Sequence, residues 1–416
     1  MESILGLPPS INTDTWMAIW GRCAGRWRGC VIPPWDRTRS SACKHLIIPV
    51  SCYPYQEDGM TSHDRIKAAL EFRELDSIPI TETAVWPDTL VRWHSEELPE
   101  GVDVRDYFRL DRISAIRAFD CSLTNVFPHT IYEETDDYVI DRNGYGVKVK
   151  YLKHHYATHI ELDHAVKEHA DWTRCKGALD VSDRRMATGF VEQSQEARQK
   201  GDFISLNPMD FFWFTFVMLG TENFMIQMAA DPDFIHDIFE TYTDFLMEML
   251  KRTVATAIEW DAIWFYSDMA YRNGPLFSPK HYREFLLPRY RRVREFCDKH
   301  GKFLLLHTDG NVEEFMPCFI ESGFNAVQPL EARAGNDVRV YKPKYGSDIC
   351  FFGNISADVL ATGDKEKIEE EVGTKVTVAK QEGGYIYHSD HSIPPTVSFE
   401  SFSFAIECAR KYGKYV

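Results

Sequence analysis

The residues best suited to chemistry stand just after short apolar runs. His307-Thr-Asp309 follows Leu304-Leu-Leu, and His388, Asp390 and His391 follow Tyr385-Ile-Tyr. Asp268 follows Trp264-Phe-Tyr-Ser, Glu331 follows Val327-Gln-Pro-Leu, and Asn354 follows Phe351-Phe-Gly. Side chains on an extended strand alternate, so His307 and Asp309 project to the same side. A third ligand from another strand closes a facial set; His391 is the candidate, with Asp390 or His388 behind it. Two imidazoles and one carboxylate suit Zn²⁺, with Fe²⁺ as the alternative, and leave positions open for substrate. Asp268, Asn354 and His388 are candidates for holding substrate, and Glu331 for proton delivery or positioning. Asp268 also fits a plain helix cap, and a single strand-end histidine is as often structural as catalytic. The convergence of several such residues carries the metal reading.

The elements that must position these groups follow from periodicity. Short apolar strands are expected at Phe203-Ile-Ser-Leu, Ala262-Ile-Trp-Phe-Tyr, Lys302-Phe-Leu-Leu-Leu, Ala326-Val-Gln-Pro-Leu, Ile349-Cys-Phe-Phe and Gly384-Tyr-Ile-Tyr. Amphipathic helices separate them, which is the mark of repeated parallel βα units. The fold class is α/β, a (β/α)8 TIM-type barrel, whose catalytic groups come from the carboxyl ends of the strands. Asp64-Arg-Ile-Lys-Ala-Ala-Leu reads as a helix and Ser77-Ile-Pro-Ile-Thr as the first strand. A helix opens at Ser278-Pro279 and stops at Gly301; another opens at Asn311, with Glu314 completing a capping box, and ends near Gly323. Between Leu123 and Leu152 the pattern turns β-like, with strands at Thr124-Asn-Val-Phe, Asp137-Tyr-Val-Ile and Val147-Lys-Val-Lys and a tight Asn143-Gly144 turn. This is a small β-hairpin excursion on the barrel. The aromatic run Phe211-Phe-Trp-Phe-Thr-Phe fits buried packing better than a pocket wall.

Composition narrows the function. A formal net charge of -16 argues against a nucleic-acid partner, whose phosphates demand clustered Lys and Arg. Nothing approaches the roughly 20 apolar residues that span a bilayer, so no membrane partner is expected. The 10 cysteines include no Cys-x-x-Cys pair, which fits reduced thiols in the cytoplasm. Residues 1–59 differ from the rest: they lack periodicity, carry Pro8-Pro9 and Pro33-Pro34, and run arginine-rich from Arg22 to Arg39. They read as an atypical leader, disordered or untranslated natively. Met60 is then the natural start, since Gln56-Glu57-Asp58-Gly59 can be encoded by a ribosome-binding sequence. Residues 60–416 form one barrel domain.

From about Ser62 to Tyr415 the chain resembles the uroporphyrinogen decarboxylase superfamily, in its corrinoid-dependent methyltransferase branch. The resemblance rests on Asp64-Arg-Ile-Lys-Ala-Ala-Leu, Phe277-Ser-Pro-Lys-His-Tyr-Arg-Glu-Phe-Leu-Leu-Pro, His307-Thr-Asp-Gly-Asn, Gly353-Asn and Gly383-Gly-Tyr-Ile-Tyr-His-Ser-Asp-His-Ser-Ile-Pro-Pro. The Arg-Gln-Ala-Gly-Arg segment of true decarboxylases is missing from the sequence. Methyltransferases of the branch bind zinc through His-x-Cys and a later Cys before Gly-Ile-Pro-Pro. The resemblance puts His307, Asp309 and His391 in those slots, with both thiolates replaced. Such a set leaves more positive charge on the metal, making it a stronger Lewis acid and less suited to a thiol acceptor. The resemblance implies methyl transfer from a methoxylated, aromatic small molecule to a corrinoid protein partner, and is compatible with a homodimer. Two rivals stand beside it: a decarboxylase or lyase acting without corrinoid, and a non-catalytic tetrapyrrole- or corrinoid-binding barrel.

Overall fold

The computed structural model describes residues 59–153 and 159–415. All but the last residue of the 1–59 leader therefore lies outside the described residues. The frame is a curled sheet of seven parallel strands, ordered β1-β6-β7-β10-β11-β12-β13. In chain order these are β1 (Ile113–Ile116), β6 (Phe203–Leu206), β7 (Ala262–Tyr266), β10 (Phe303–Thr308), β11 (Ala326–Pro329), β12 (Cys350–Phe352) and β13 (Tyr385–Ile386). The six C-terminal strands stand where apolar runs predict them. The intervening β2 (Thr130–Glu134), β3 (Tyr138–Arg142), β4 (Val147–Leu152) and β5 (His159–His164) form a separate antiparallel sheet, and β8 (Ala270–Tyr271) pairs with β9 (Gly274–Pro275).

Period-two alternation divides the strand side chains into two cores. Phe203, Ala262, Trp264, Leu305, Ala326, Cys350, Phe352 and Ile386 fill the inside of the curl. Their neighbours Ile204, Ile263, Phe265, Leu304, Leu306, Val327, Phe351 and Tyr385 face the surrounding helices. Both faces are apolar, as parallel strands covered on both sides require. The helix Ser62–Leu70, capped by the Thr61 hydroxyl accepting from the Asp64 amide, adds Ile66, Ala69 and Leu70 to the inner core. It sits at the strands' amino ends: Arg65 grips Asp111 just before β1, and His63 meets Asp261 just before β7. The opposite, carboxyl end is left for the polar rim.

Four local expectations are corrected. Ser77–Thr81 is no continuous strand: Ile80 pairs singly with Tyr387, and its carbonyl and amide bond Asp111, so the segment bridges the two sheet edges. The strand β1 went unpredicted, its Ile-Ser-Ala-Ile text being short and only half apolar. The excursion is a four-stranded sheet in which Thr124–Phe127 forms a turn, and Gly146, at φ +82°, takes the left-handed position expected of Gly144. At the Asn311 helix, Asn311 Oδ1 accepts from the Glu313 amide, then a 3₁₀ turn leads into Met316–Ser322, which ends at Gly323 with φ +82°. The Ser278-Pro279 helix forms with Ser278 as cap, though a π-turn at Tyr282–Leu286 precedes the run Leu287–Lys299. The run Phe211–Phe216 lies in the helix Phe211–Leu219 and is buried, as packing predicts.

Candidate metal centre

The rim begins one period beyond the inner core. Inward-facing Leu305 is followed by His307, Ala326 by Gln328, Trp264 by Tyr266 and Ile386 by His388. Register places His307 opposite Tyr266 on one side and Gln328 on the other. The His307 Nδ1 hydrogen is donated to Gln328 Oε1, which can only accept. That fixes the tautomer, so Nε2 presents a lone pair away from the strand. Tyr266 packs its ring against the imidazole at 4.8 Å.

Toward that lone pair the structure brings two carboxylates. His307 Nε2 lies 3.7 Å from Asp268 Oδ1 and 3.8 Å from Asp309 Oδ1. Asp268, His307 and Asp309 each offer a ligand atom, all within 4.8 Å of one another. His391 approaches from the far side, its Nε2 3.8 Å from Asp309 Oδ2. The mutually close set is thus Asp268, His307 and Asp309; of the expected ligands His307, Asp309 and His391, the last stands beside Asp309 outside that set. Direct hydrogen bonds would need shorter contacts, so these spacings leave a gap between the polar atoms. Asp309 Oδ1 is buried and has no hydrogen-bond partner. An orphaned carboxylate oxygen facing imidazole nitrogen is the environment a divalent cation satisfies, so the residues present fit a metal.

Backbone contacts hold the acidic groups. Asp268 Oδ1 accepts from the Asp309 amide at 3.0 Å, and Glu331 Oε2 from the Gly310 amide at 3.0 Å. Burial, reinforced by the charge of Asp309, pushes the Asp268 carboxyl up to about 6. The same causes raise Glu331, whose other neighbour is Arg333 at 3.6 Å. Gly310 follows at φ +84°, where an added Cβ would stand 2.5 Å from the Ala270 carbonyl carbon. Only glycine lets the loop after β10 press against the β8–β9 ribbon and aim Asp309 inward. Trp86 meets His391 edge-on at 6.3 Å, adding an aromatic wall.

Two expected substrate contacts take other places. Asn354 is fully buried: its amide donates to Leu330 O and Asn336 O and accepts from the Val338 amide. Its left-handed backbone, φ +85°, turns the side chain under the rim. His388 is also fully buried, among Thr83, Ser389 and Glu82. Asp390 spends its hydrogen bonds elsewhere than on the His391 ring: its oxygens accept from the Ala332 and Ala357 amides, tying together the loops after β11 and β12. Residue reading passed over Gln328, Tyr266, Trp86 and Glu82. Gln328 was signalled as the polar residue inside an apolar strand. Glu82 was signalled by the strand-end rule itself, since it follows Ile78-Pro-Ile-Thr.

Residues 212–412 match the family model described as uroporphyrinogen decarboxylase (URO-D). Among curated proteins, a uroporphyrinogen decarboxylase of Saccharopolyspora erythraea is 27% identical over 177 residues, 41% of this chain and 46% of that protein. A methylated-thiol–coenzyme M methyltransferase of Methanosarcina mazei is 25% identical over 154 residues, 36% of this chain and 38% of that protein. The chain spans less than half the length of either relative. A solved methyltransferase from Methanosarcina mazei superposes with a TM-score of 0.57 at 16% identity, covering 85% of this chain and 99% of that one, which shows a shared fold.

Proposed function

We propose that this chain, which carries a URO-D family domain over residues 212–412, is a metal-dependent methyltransferase that moves a methyl group from a methoxylated aromatic molecule to a corrinoid protein. The observation that carries the reading is the cluster itself: Asp268, His307 and Asp309 within 4.8 Å of one another and His391 beside Asp309. Methyltransferases among the relatives and structural neighbours support the reaction class. We read the Ser77–Thr81 segment, bonded to both sheet edges, as the eighth stave of a closed TIM-type barrel.

When bound, the metal supplies Lewis acidity at the ether oxygen and the partner's corrinoid supplies the nucleophile that accepts the methyl group. The rest falls to side chains. His307, Asp309 and His391 hold the metal, zinc in the first instance and iron as the alternative, while Gln328 keeps the His307 Nε2 lone pair available. Tyr266 and Trp86 flank the imidazoles and offer flat surfaces against which an aromatic ring can stack. As the methyl–oxygen bond breaks, its electron pair stays on oxygen. Glu331, whose carboxyl is raised by burial and by the charge of Asp309, gives the proton that neutralises the departing phenolate.

Nitrogen and oxygen donors, rather than thiolates, leave charge on the metal and favour an oxygen leaving group over activation of a thiol acceptor. The test is methylation of cob(I)alamin, followed spectroscopically against a panel of methoxyaromatics. Turnover that disappears in His307→Ala and His391→Ala, both still folded, supports the proposal. Unchanged turnover in either variant sinks it, and turnover of a carboxylated substrate without corrinoid favours the decarboxylase alternative.

A further inference from the structure

We infer that Glu82 is a positioning residue for the metal-holding rim: it stands as a carboxylic acid whose proton ties the segment Ser389–His391 to the Thr81–Thr83 segment. The inference rests on the metal reading above for its consequence, and on hydrogen-bond accounting for the proton.

Glu82 is buried beneath the rim, where the Ser389 amide donates to Oε2 at 3.4 Å and two side-chain acceptors face the carboxyl. The first is His388 Nε2, 3.0 Å from Glu82 Oε1. The Thr83 amide donates to that same nitrogen at 3.0 Å, with the Thr83 hydroxyl 2.8 Å away, so Nε2 is a lone pair. The single ring hydrogen is on Nδ1, donated to Ser389 O at 2.5 Å. The second is Ser389 Oγ, 2.8 Å from Glu82 Oε2 and 2.5 Å from His391 O. A carbonyl oxygen accepts only, so the one hydroxyl hydrogen goes to His391 O. Both side-chain contacts of Glu82 therefore face an atom with no hydrogen to give, the Ser389 amide being a separate, longer donor to Oε2. An ionised Glu82 would set lone pair against lone pair at both side chains; a protonated one gives its single hydrogen to one of them and removes the repulsion there.

The chain of contacts ends at the metal ligand. Glu82 meets the Ser389 hydroxyl, which meets the His391 carbonyl, and the His391 imidazole reaches Asp309. The titratable groups facing Glu82 agree with its neutral state. Burial keeps His388 neutral, Tyr387 is a buried phenol, and Asp390 adds a like charge. Burial is also what pushes the Glu82 carboxyl up to about 8.

The experiment compares the full chain with Glu82→Gln and Glu82→Ala. Difference infrared spectroscopy at neutral pH is expected to show a protonated-carboxyl band in wild type that both variants lack. Co²⁺ titration, read by ligand-field absorption, is expected to weaken about tenfold or more in Glu82→Ala and to be restored by Glu82→Gln. Affinity of the wild type falls as pH rises through about 8, and the glutamine variant lacks that fall. No carboxyl band, Co²⁺ binding by Glu82→Ala equal to wild type, or glutamine failing to restore it in a folded protein overturns the inference. Wild type that binds no Co²⁺ would instead remove the metal reading, and the infrared band would still decide where the proton is.

Discussion

His307 illustrates how one hydrogen bond decides what a side chain can do. Its Nδ1 hydrogen serves Gln328, so Nε2 is left to a cation. Replacing Gln328 with leucine keeps the bulk and removes the acceptor, freeing the ring to rotate. Metal affinity, measured by competition with a chelator, should fall about 10–100-fold, the usual cost of losing such an orienting partner. Gln328→Glu keeps an acceptor and should lose much less. Asp268 carries the opposite lesson: burial and the neighbouring charge of Asp309 raise its carboxyl and favour its proton. These residues were readable in the text because apolar runs end on them. Gln328 was passed over because it lies within its run, and its meaning depends on the β10–β11 register.

Strand ends aim these groups, and the turns beyond them are over-determined. Gly353, at φ +136°, would place a Cβ 2.0 Å from Pro329 O, and Gly310 would strike the Ala270 backbone. Gly310→Ala should therefore lower stability by roughly 1–3 kcal/mol, from backbone strain and displacement of the loop after β10. Thermal denaturation reads the loss, and metal affinity should fall with it because Asp309 is the preceding residue. Asp390 links two further loops through the Ala332 and Ala357 amides. Asp390→Asn leaves one acceptor for two buried donors, so the melting temperature should drop by an amount equivalent to about 1–3 kcal/mol. The strand-end pattern points to Asp390 or His388 behind His391 and to Asn354 at the substrate. Which neighbour a strand-end polar group chooses depends on the turn that follows, and the left-handed turn at Asn354 leaves no trace in residue type alone.

Across the whole molecule, the parallel order of β6, β7, β10, β11, β12 and β13 was legible from alternating apolar runs and capped helices. The segments with mixed text were not: β1 and the Ser77–Thr81 bridge depend on partners distant in sequence. The interior also stores a pH dependence. Asp210 caps the buried helix Phe211–Leu219 and accepts from the Tyr290 hydroxyl at 2.6 Å, yet burial outweighs both and pushes it up to about 6. A carboxyl whose folded value exceeds its ordinary 3.8 favours the folded state most when protonated. Its contribution is complete below that ordinary value and is lost as pH rises through about 6. The span corresponds to about 3 kcal/mol. Asp210→Asn should flatten this part of the stability curve, read by denaturant unfolding across the acidic range; an unchanged curve would discount the assignment. The claim on which the molecule's function turns is a metal held without sulfur. X-ray absorption on the zinc-loaded protein tests it most directly. The account predicts one zinc per chain with nitrogen and oxygen neighbours at about 2.0–2.2 Å and the outer-sphere signature of two imidazoles. A sulfur neighbour at about 2.3 Å, or no stoichiometric zinc, would contradict it.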